Sequence, residues 1–107
     1  MFMLPKIYAL LSAAMALGAG TVWAVAGNAK TMQVSGFVTS GTGSVTVALE
    51  GSMDGAIWTP VGSVTLALGT AVASTALQDA GSRYPQYRAN VTDISGTGAR
   101  VTAVLGA

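Results

Sequence analysis

The sequence predicts an all-β protein, an antiparallel β-sandwich of the jelly-roll or immunoglobulin-like type. From Lys30 onward, apolar and polar residues alternate with the two-residue period of strands, and Thr and Val are frequent. Short glycine-containing stretches separate these runs, and no apolar stripe with a helical period appears. A chain of 107 residues suits one compact domain, which we assign to residues 18–107.

The first thirty residues admit three interpretations. Lys6, the apolar run 7–17 and the Ala24-Val25-Ala26 box resemble an export signal. The uncharged stretch 7–29 is also long enough to cross a bilayer, although it is rich in Ala and Gly. Alternatively, residues 21–26 alternate as an early strand, and residues 1–17 are then an N-terminal arm or an additional strand.

The rest of the chain divides into strand-like runs. The least regular segment is QDAGSRYP at residues 78–85, which predicts a surface loop. The predicted strands are TMQVSGFV, SVTVALEGSM, AIWTPV, SVTLAL, a weaker TAVASTAL, QYRANVTDI and RVTAVL.

An Asp-Gly pair between two runs predicts a β-hairpin with a two-residue turn. Asp54 and Gly55 would form a type I′ loop, which needs positive φ at both positions. This register sets Gly51 opposite Trp58, so the indole would cover the bare backbone of Gly51 on the core face. We therefore expect Trp58 to be a core residue and Asp54 to be a turn residue, with no metal role.

The tetrapeptide SGTG occurs twice, at residues 40–43 and 95–98. Each copy lies between two strand-like runs, and neither precedes a helix that could complete a phosphate-binding loop. We therefore predict two hairpin connections, with Gly96 and Gly98 as turn residues of the second.

The composition argues against catalysis. The chain has no Cys and no His, and its four acidic residues show no paired spacing. Charged residues make up 8% of the chain against about 25% in typical domains, and the net charge is +1. Nucleic-acid binding needs several cationic contacts. We expect no enzyme activity, no cofactor, no metal and no nucleic-acid partner. A surface with so few charged residues favours association with other proteins.

One segment gathers long polar and aromatic side chains. The stretch SRYPQYRAN contains residue types that are enriched in binding hot spots. It is a candidate interface, and the alternative is a Tyr-Pro corner packed over one end of the sandwich. The residues concerned are Arg83, Tyr84, Tyr87 and Arg88.

Two stretches resemble a family of small structural proteins of tailed-bacteriophage particles. They are GSMDGAIW at residues 51–58 and YRANVTDISGTGARVT at residues 87–102. The similarity extends over about residues 16–107, and the segment before Ala16 departs from the pattern. Members of that family are β-sandwich components of the particle, commonly head decoration or minor structural proteins.

The resemblance implies a capsid decoration or cement protein on the virion surface. Its partners would be the major capsid protein and further copies of itself, with a trimer as the expected assembly. Two alternatives remain open: a host glycan-binding or tail or collar module on the virion, and an exported or membrane-anchored β-domain.

Overall fold

The computed structural model describes residues 7–24, 30–79 and 84–106, which form nine strands and no helix. The strands are β1 (Ile7–Ala14), β2 (Gly18–Ala19), β3 (Trp23–Ala24), β4 (Lys30–Phe37), β5 (Ser40–Ser52), β6 (Thr59–Leu68), β7 (Ala73–Asp79), β8 (Gln86–Thr97) and β9 (Arg100–Gly106). No helix in these ranges could therefore span a membrane.

The strands form two antiparallel sheets with the topology of a jelly roll. The four-stranded sheet has the order β1-β9-β4-β7. The five-stranded sheet has the order β2-β8-β5-β6, and β3 also pairs with β8. In a jelly roll, the first strand pairs with the last, the second with the one before it, and so on toward the middle of the chain. The observed pairs follow this order: β1 with β9, β2 and β3 with β8, β4 with β7, and β5 with β6. The predicted antiparallel sandwich is confirmed, and its strand order is that of a jelly roll and not of an immunoglobulin domain.

The core lies between the sheets because each strand turns alternate side chains inward. Along β4 the buried positions alternate with more exposed ones, and β9 shows the same pattern. The fully or nearly fully buried apolar side chains include Met32, Val34, Val45, Val47, Leu49, Val91, Val101, Ala103 and Leu105. Burying one such side chain stabilises the fold by roughly 1.5–3 kcal/mol.

The N-terminal segment contributes an additional strand to the sandwich. β1 pairs with β9 at the edge of the four-stranded sheet, and Leu10 and Leu11 join the core at 1% and 7% exposure. The chain then crosses to the other sheet, where Gly20 N–H donates to the Ala89 carbonyl and Thr21 N–H to that of Leu10. The strand predicted at 21–26 is present only as β3 at Trp23–Ala24, and residues 25–26 lie outside the described ranges.

The two SGTG segments are not hairpin loops, so that prediction is wrong. β4 and β5 belong to different sheets, and so do β8 and β9; each segment lies where the chain crosses between sheets. The crossings lie side by side, with Ser44 paired to Ser95 and Thr39 N–H donating to the Thr97 carbonyl at 2.9 Å. Gly96 has φ 114° and Gly98 has φ 63°, which Gly tolerates readily.

The predicted β5·β6 hairpin is present, but its loop is longer than two residues. Gly51 pairs with Thr59, and residues 53–58 form the connection. Gly55 has φ 79°, whereas Asp54 does not have positive φ, so no type I′ turn forms. The Asp54 carboxylate instead accepts the N–H groups of Ile57 and Ala56 and the Ser52 hydroxyl, and these bonds hold its pKa below the usual value.

Candidate functional site

The outer face of the five-stranded sheet carries a closed network of polar side chains. Arg88 Nε donates to Glu50 Oε1 at 2.8 Å, and Asn90 Nδ2 donates to Glu50 Oε2 at 3.4 Å. The Arg88 guanidinium also lies 4.3 Å from the centre of the Trp58 ring. Both oxygens of the carboxylate and one face of the indole are therefore occupied from within the chain. These four residues are called the Glu50 network below.

Strand register brings the Glu50 network together. Glu50 pairs with Arg88 on β8 and with Pro60 on β6, and the adjacent Leu49 pairs with Ala89 in the core. Side chains alternate along each strand, so Glu50 and Arg88 share the outer face. Only 8% of Glu50 is exposed, and the burial of a carboxylate is costly unless hydrogen bonds and an ion pair replace its hydration. The network is thus chiefly structural.

Trp58 does not cover Gly51, contrary to the prediction. The connection 53–58 is longer than the predicted two-residue loop, so Trp58 precedes β6 and Thr59 is the residue that pairs with Gly51. A Cβ at Gly51 would lie 2.2 Å from Cδ2 of Tyr84, so the Tyr84 ring occupies the space over that glycine. Trp58 is half-buried against Arg88 on the outer face and is not a core residue.

The candidate interface predicted over SRYPQYRAN does not lie on one loop. Tyr87 is fully buried on β8, its hydroxyl accepts the Tyr84 N–H at 3.0 Å, and the two rings pack edge to face. Arg88 lies on the same strand with its side chain in the Glu50 network. Arg83 lies outside the described residues. Tyr84 and Tyr87 thus pack on each other, with Tyr87 in the core, and the alternative of a Tyr-Pro corner over one end of the sandwich stays a prediction.

A buried ion pair supports Tyr87 from inside the sandwich. Lys30 Nζ lies 3.8 Å from Asp79 Oδ2 and 4.9 Å from the centre of the Tyr87 ring. The Lys30 side chain is 0% exposed, so the carboxylate and the aromatic ring replace part of its lost hydration. This arrangement fixes the first residue of β4 against the last residue of β7.

The outer face of the four-stranded sheet carries a depression of about 300 Å³ that the sequence analysis did not single out. Its floor consists of two cross-strand pairs, Arg100 with Phe37 and Thr102 with Ser35. Its complete lining is Ala13, Ser35, Gly36, Phe37, Val72, Arg100 and Thr102. These residues are called the Arg100 depression below.

An irregularity in β1 builds one wall of the Arg100 depression. Leu11 pairs with Ala103 and Ala14 with Val101, so two residues of β1 lie opposite the single residue Thr102. Bulges of this kind bend a strand and re-aim its side chains. Ala13 has φ 51°, a conformation that L-residues seldom adopt, and its N–H donates to Thr102 Oγ1 at 3.2 Å.

Arg100 is exposed and has no acidic partner among the described residues. The two ion pairs in those ranges join Lys30 to Asp79 and Arg88 to Glu50. Arg100 is also the one charged residue among the outward-facing positions of β4, β7 and β9. Those positions are Thr31, Gln33, Ser35, Phe37, Ser74, Ala76, Gln78, Arg100, Thr102, Val104 and Gly106.

The described residues contain no cluster of three or more His, Cys, Asp or Glu side chains that could hold a metal ion. Comparisons with protein-family models, with curated proteins and with solved structures found no match for this chain. The two outer faces therefore differ: one is closed by the Glu50 network, and the other carries an open depression with an arginine that has no carboxylate partner among the described residues.

Proposed function

We propose that this chain is a structural component of a bacteriophage virion, a decoration protein that binds the outer surface of the capsid and cements it. Its resemblance to tailed-phage virion proteins supports this proposal, and jelly rolls are a common architecture of viral capsid domains. Because one architecture serves many functions, the function has to be inferred from the surface of the domain and not from its fold.

The observation that carries the proposal is the outer face of the four-stranded sheet. The outward positions of β4, β7 and β9 carry uncharged side chains apart from Arg100. The centres of protein interfaces are depleted in charged residues, and this face has that character. The domain measures 44 × 35 × 18 Å, so its sheet faces are broad. A standard interface covers about 800 Å² on each partner, which a face of this size can supply.

Exposed apolar residues extend this surface at one end of the sandwich. The strand pairings place four strand termini together at this end: the last residues of β1 and β4 and the first residues of β7 and β9. The connections at that end expose Met15 at 61%, Leu17 at 63% and Val72 at 71%. Contact with capsid subunits and with other copies would bury these side chains, and we expect the copies to form a trimer around a local symmetry axis.

Particles that lack this protein provide the test. If it acts as a cement, such particles should release their contents at a lower temperature or at low salt, and adding back the purified protein should restore resistance. Heat-treated particles of both kinds can be compared by light scattering and DNA release. Equal resistance with and without the protein would contradict cementing.

A host glycan-binding module on the virion is the second candidate function. Trp58 is half-buried on an outer face, with Asn90 nearby in the Glu50 network, and sugar sites combine aromatic faces with polar side chains. A glycan array should then give a signal that Trp58→Ala abolishes. Tyr87→Ala is a poor probe because Tyr87 belongs to the core. An array without a signal for the wild type would remove this candidate.

A further inference from the structure

We infer that the Arg100 depression is a docking site for an acidic side chain and an adjacent apolar side chain of a neighbouring protein. The inference rests on the proposed function, since it specifies the chemistry by which this face would recognise a partner. The carboxylate would bind Arg100, and the apolar group would fill the rest of the depression.

The charged half of the site follows from the surroundings of Arg100. Its cross-strand neighbour Phe37 is apolar, and no carboxylate of the described residues pairs with it. A guanidinium matches a carboxylate with parallel N–H donors, which gives directional as well as electrostatic selectivity. Because the other outward positions of β4, β7 and β9 are uncharged, an acidic group that approaches Arg100 meets no competing anion at those positions.

Two hydroxyl groups can complete the recognition of the carboxylate. Thr102 lies two residues after Arg100 on β9, and Ser35 is its partner on β4. Thr102 Oγ1 already accepts the Ala13 N–H, so its own proton remains available for donation. The floor of the depression thus offers a guanidinium and two hydroxyl donors along adjacent strands.

The apolar half of the site comes from the walls and one end of the floor. Ala13 forms one wall, Val72 another, and Phe37 lies between them in the lining. A volume of about 300 Å³ is at the lower end of the range for small-ligand sites. The depression therefore suits one or two side chains and not a large cofactor.

The environment favours a protein segment over a free small molecule. Val72 is 71% exposed at the rim, and Met15 and Leu17 are exposed on the connection that follows β1. A ligand confined to the depression would contact Val72 but would leave Met15 and Leu17 in water. A protein surface that inserts an acidic side chain would cover them at the same time, which adds hydrophobic stabilisation to the ion pair.

A pair of blocked dipeptides tests this site on the purified full-length protein. We would titrate acetyl-Leu-Glu-amide and its uncharged match acetyl-Leu-Gln-amide and follow backbone amide shifts by NMR. Shifts should centre on Ser35, Val72, Arg100 and Thr102. The acidic peptide should bind about three- to fivefold more tightly, which is the upper part of the range of an exposed ion pair. Raising salt to about 1 M should remove that difference.

Variants at Arg100 complete the test. Arg100→Gln should equalise the two peptides, whereas Arg100→Lys should keep part of the preference because it keeps the charge. Equal binding of the two peptides to the wild type, or shifts centred elsewhere, would overturn the inference without any variant. If the protein binds the acidic peptide selectively but is absent from virus particles, the docking site is supported and the proposed function is rejected. If the protein cements particles but does not distinguish the two peptides, the proposed function is supported and the docking site is rejected.

Discussion

Two arginines on opposite faces of the sandwich differ in where their partners come from. Arg88 has a carboxylate at 2.8 Å and an aromatic ring at 4.3 Å, both supplied by the chain itself. Arg100 lies beside Phe37 in the floor of an open depression and has no carboxylate partner among the described residues. The five-stranded face thus supplies its own partners for the Arg88 guanidinium. On the four-stranded face, the Arg100 guanidinium is available to a carboxylate of another molecule.

The largest effect should follow from removing the carboxylate that Arg88 binds. Glu50→Ala leaves a partly buried guanidinium and the Asn90 amide without their acceptor, and hydrogen bonds to charged groups contribute about 1.5–3 kcal/mol. We expect the free energy of unfolding in urea to fall by about 2 kcal/mol. Glu50→Gln, which keeps one acceptor oxygen, should lose less. Equal stability of the wild type and Glu50→Ala would show that the network does not hold this face.

A smaller loss should follow from removing the ring under Arg88. Trp58→Ala removes the cation–π contact and part of the apolar burial on the outer face, for a loss of about 1–2 kcal/mol. Trp58→Phe keeps a weaker aromatic face and should fall between the two. A loss above about 3 kcal/mol in urea unfolding, typical of aromatic core residues, would instead support the core position predicted from sequence.

Neighbouring alanines should respond with opposite signs when each is changed to glycine. Ala13 has φ 51°, where glycine avoids a penalty of about 1–2 kcal/mol, so Ala13→Gly should stabilise by about 0.5 kcal/mol after the entropy cost. Ala14 pairs with Val101 without positive φ, so Ala14→Gly should destabilise by about 0.5–1 kcal/mol. Thermal unfolding of both variants checks this; a destabilising Ala13→Gly would argue against strain at the wall of the depression.

The smallest effect on stability should come from the unpaired arginine. Arg100→Gln removes no ion pair within the described residues, so the free energy of unfolding should change by less than about 0.5 kcal/mol. The same substitution at Arg88 should cost about 1.5 kcal/mol or more. Urea unfolding of the two variants checks this. Equal losses in the free energy of unfolding would contradict the difference between the two faces.

The alternation of residues was enough to predict the sandwich and the inward faces of its main strands. Alternation does not tell which strands pair, and both SGTG segments therefore looked like hairpins although they cross between sheets. It also does not reveal the length of a connection, and the connection 53–58 is long enough to set Thr59 opposite Gly51 and to leave Trp58 outside the predicted core position. The choice between a jelly roll and an immunoglobulin-like fold needed the complete pairing order.

The candidate site was harder to predict than the fold. Tyr87 and Arg88 are adjacent in sequence, yet strand alternation sends one into the core and the other to the outer face. Arg100 begins a predicted strand and belongs to none of the motifs that the sequence offers. Its significance depends on Phe37 across the sheet and on the bulge at Ala13, and these lie far away in sequence.

A reconstruction of the virion at side-chain resolution would show which face of this protein contacts the capsid. We expect the protein to bind the capsid through its four-stranded face, with the Arg100 guanidinium within salt-bridge distance of a carboxylate from a neighbouring subunit. The Glu50 network would then lie away from that contact. A protein bound through its five-stranded face, or an Arg100 side chain left in solvent in the assembled particle, would contradict it.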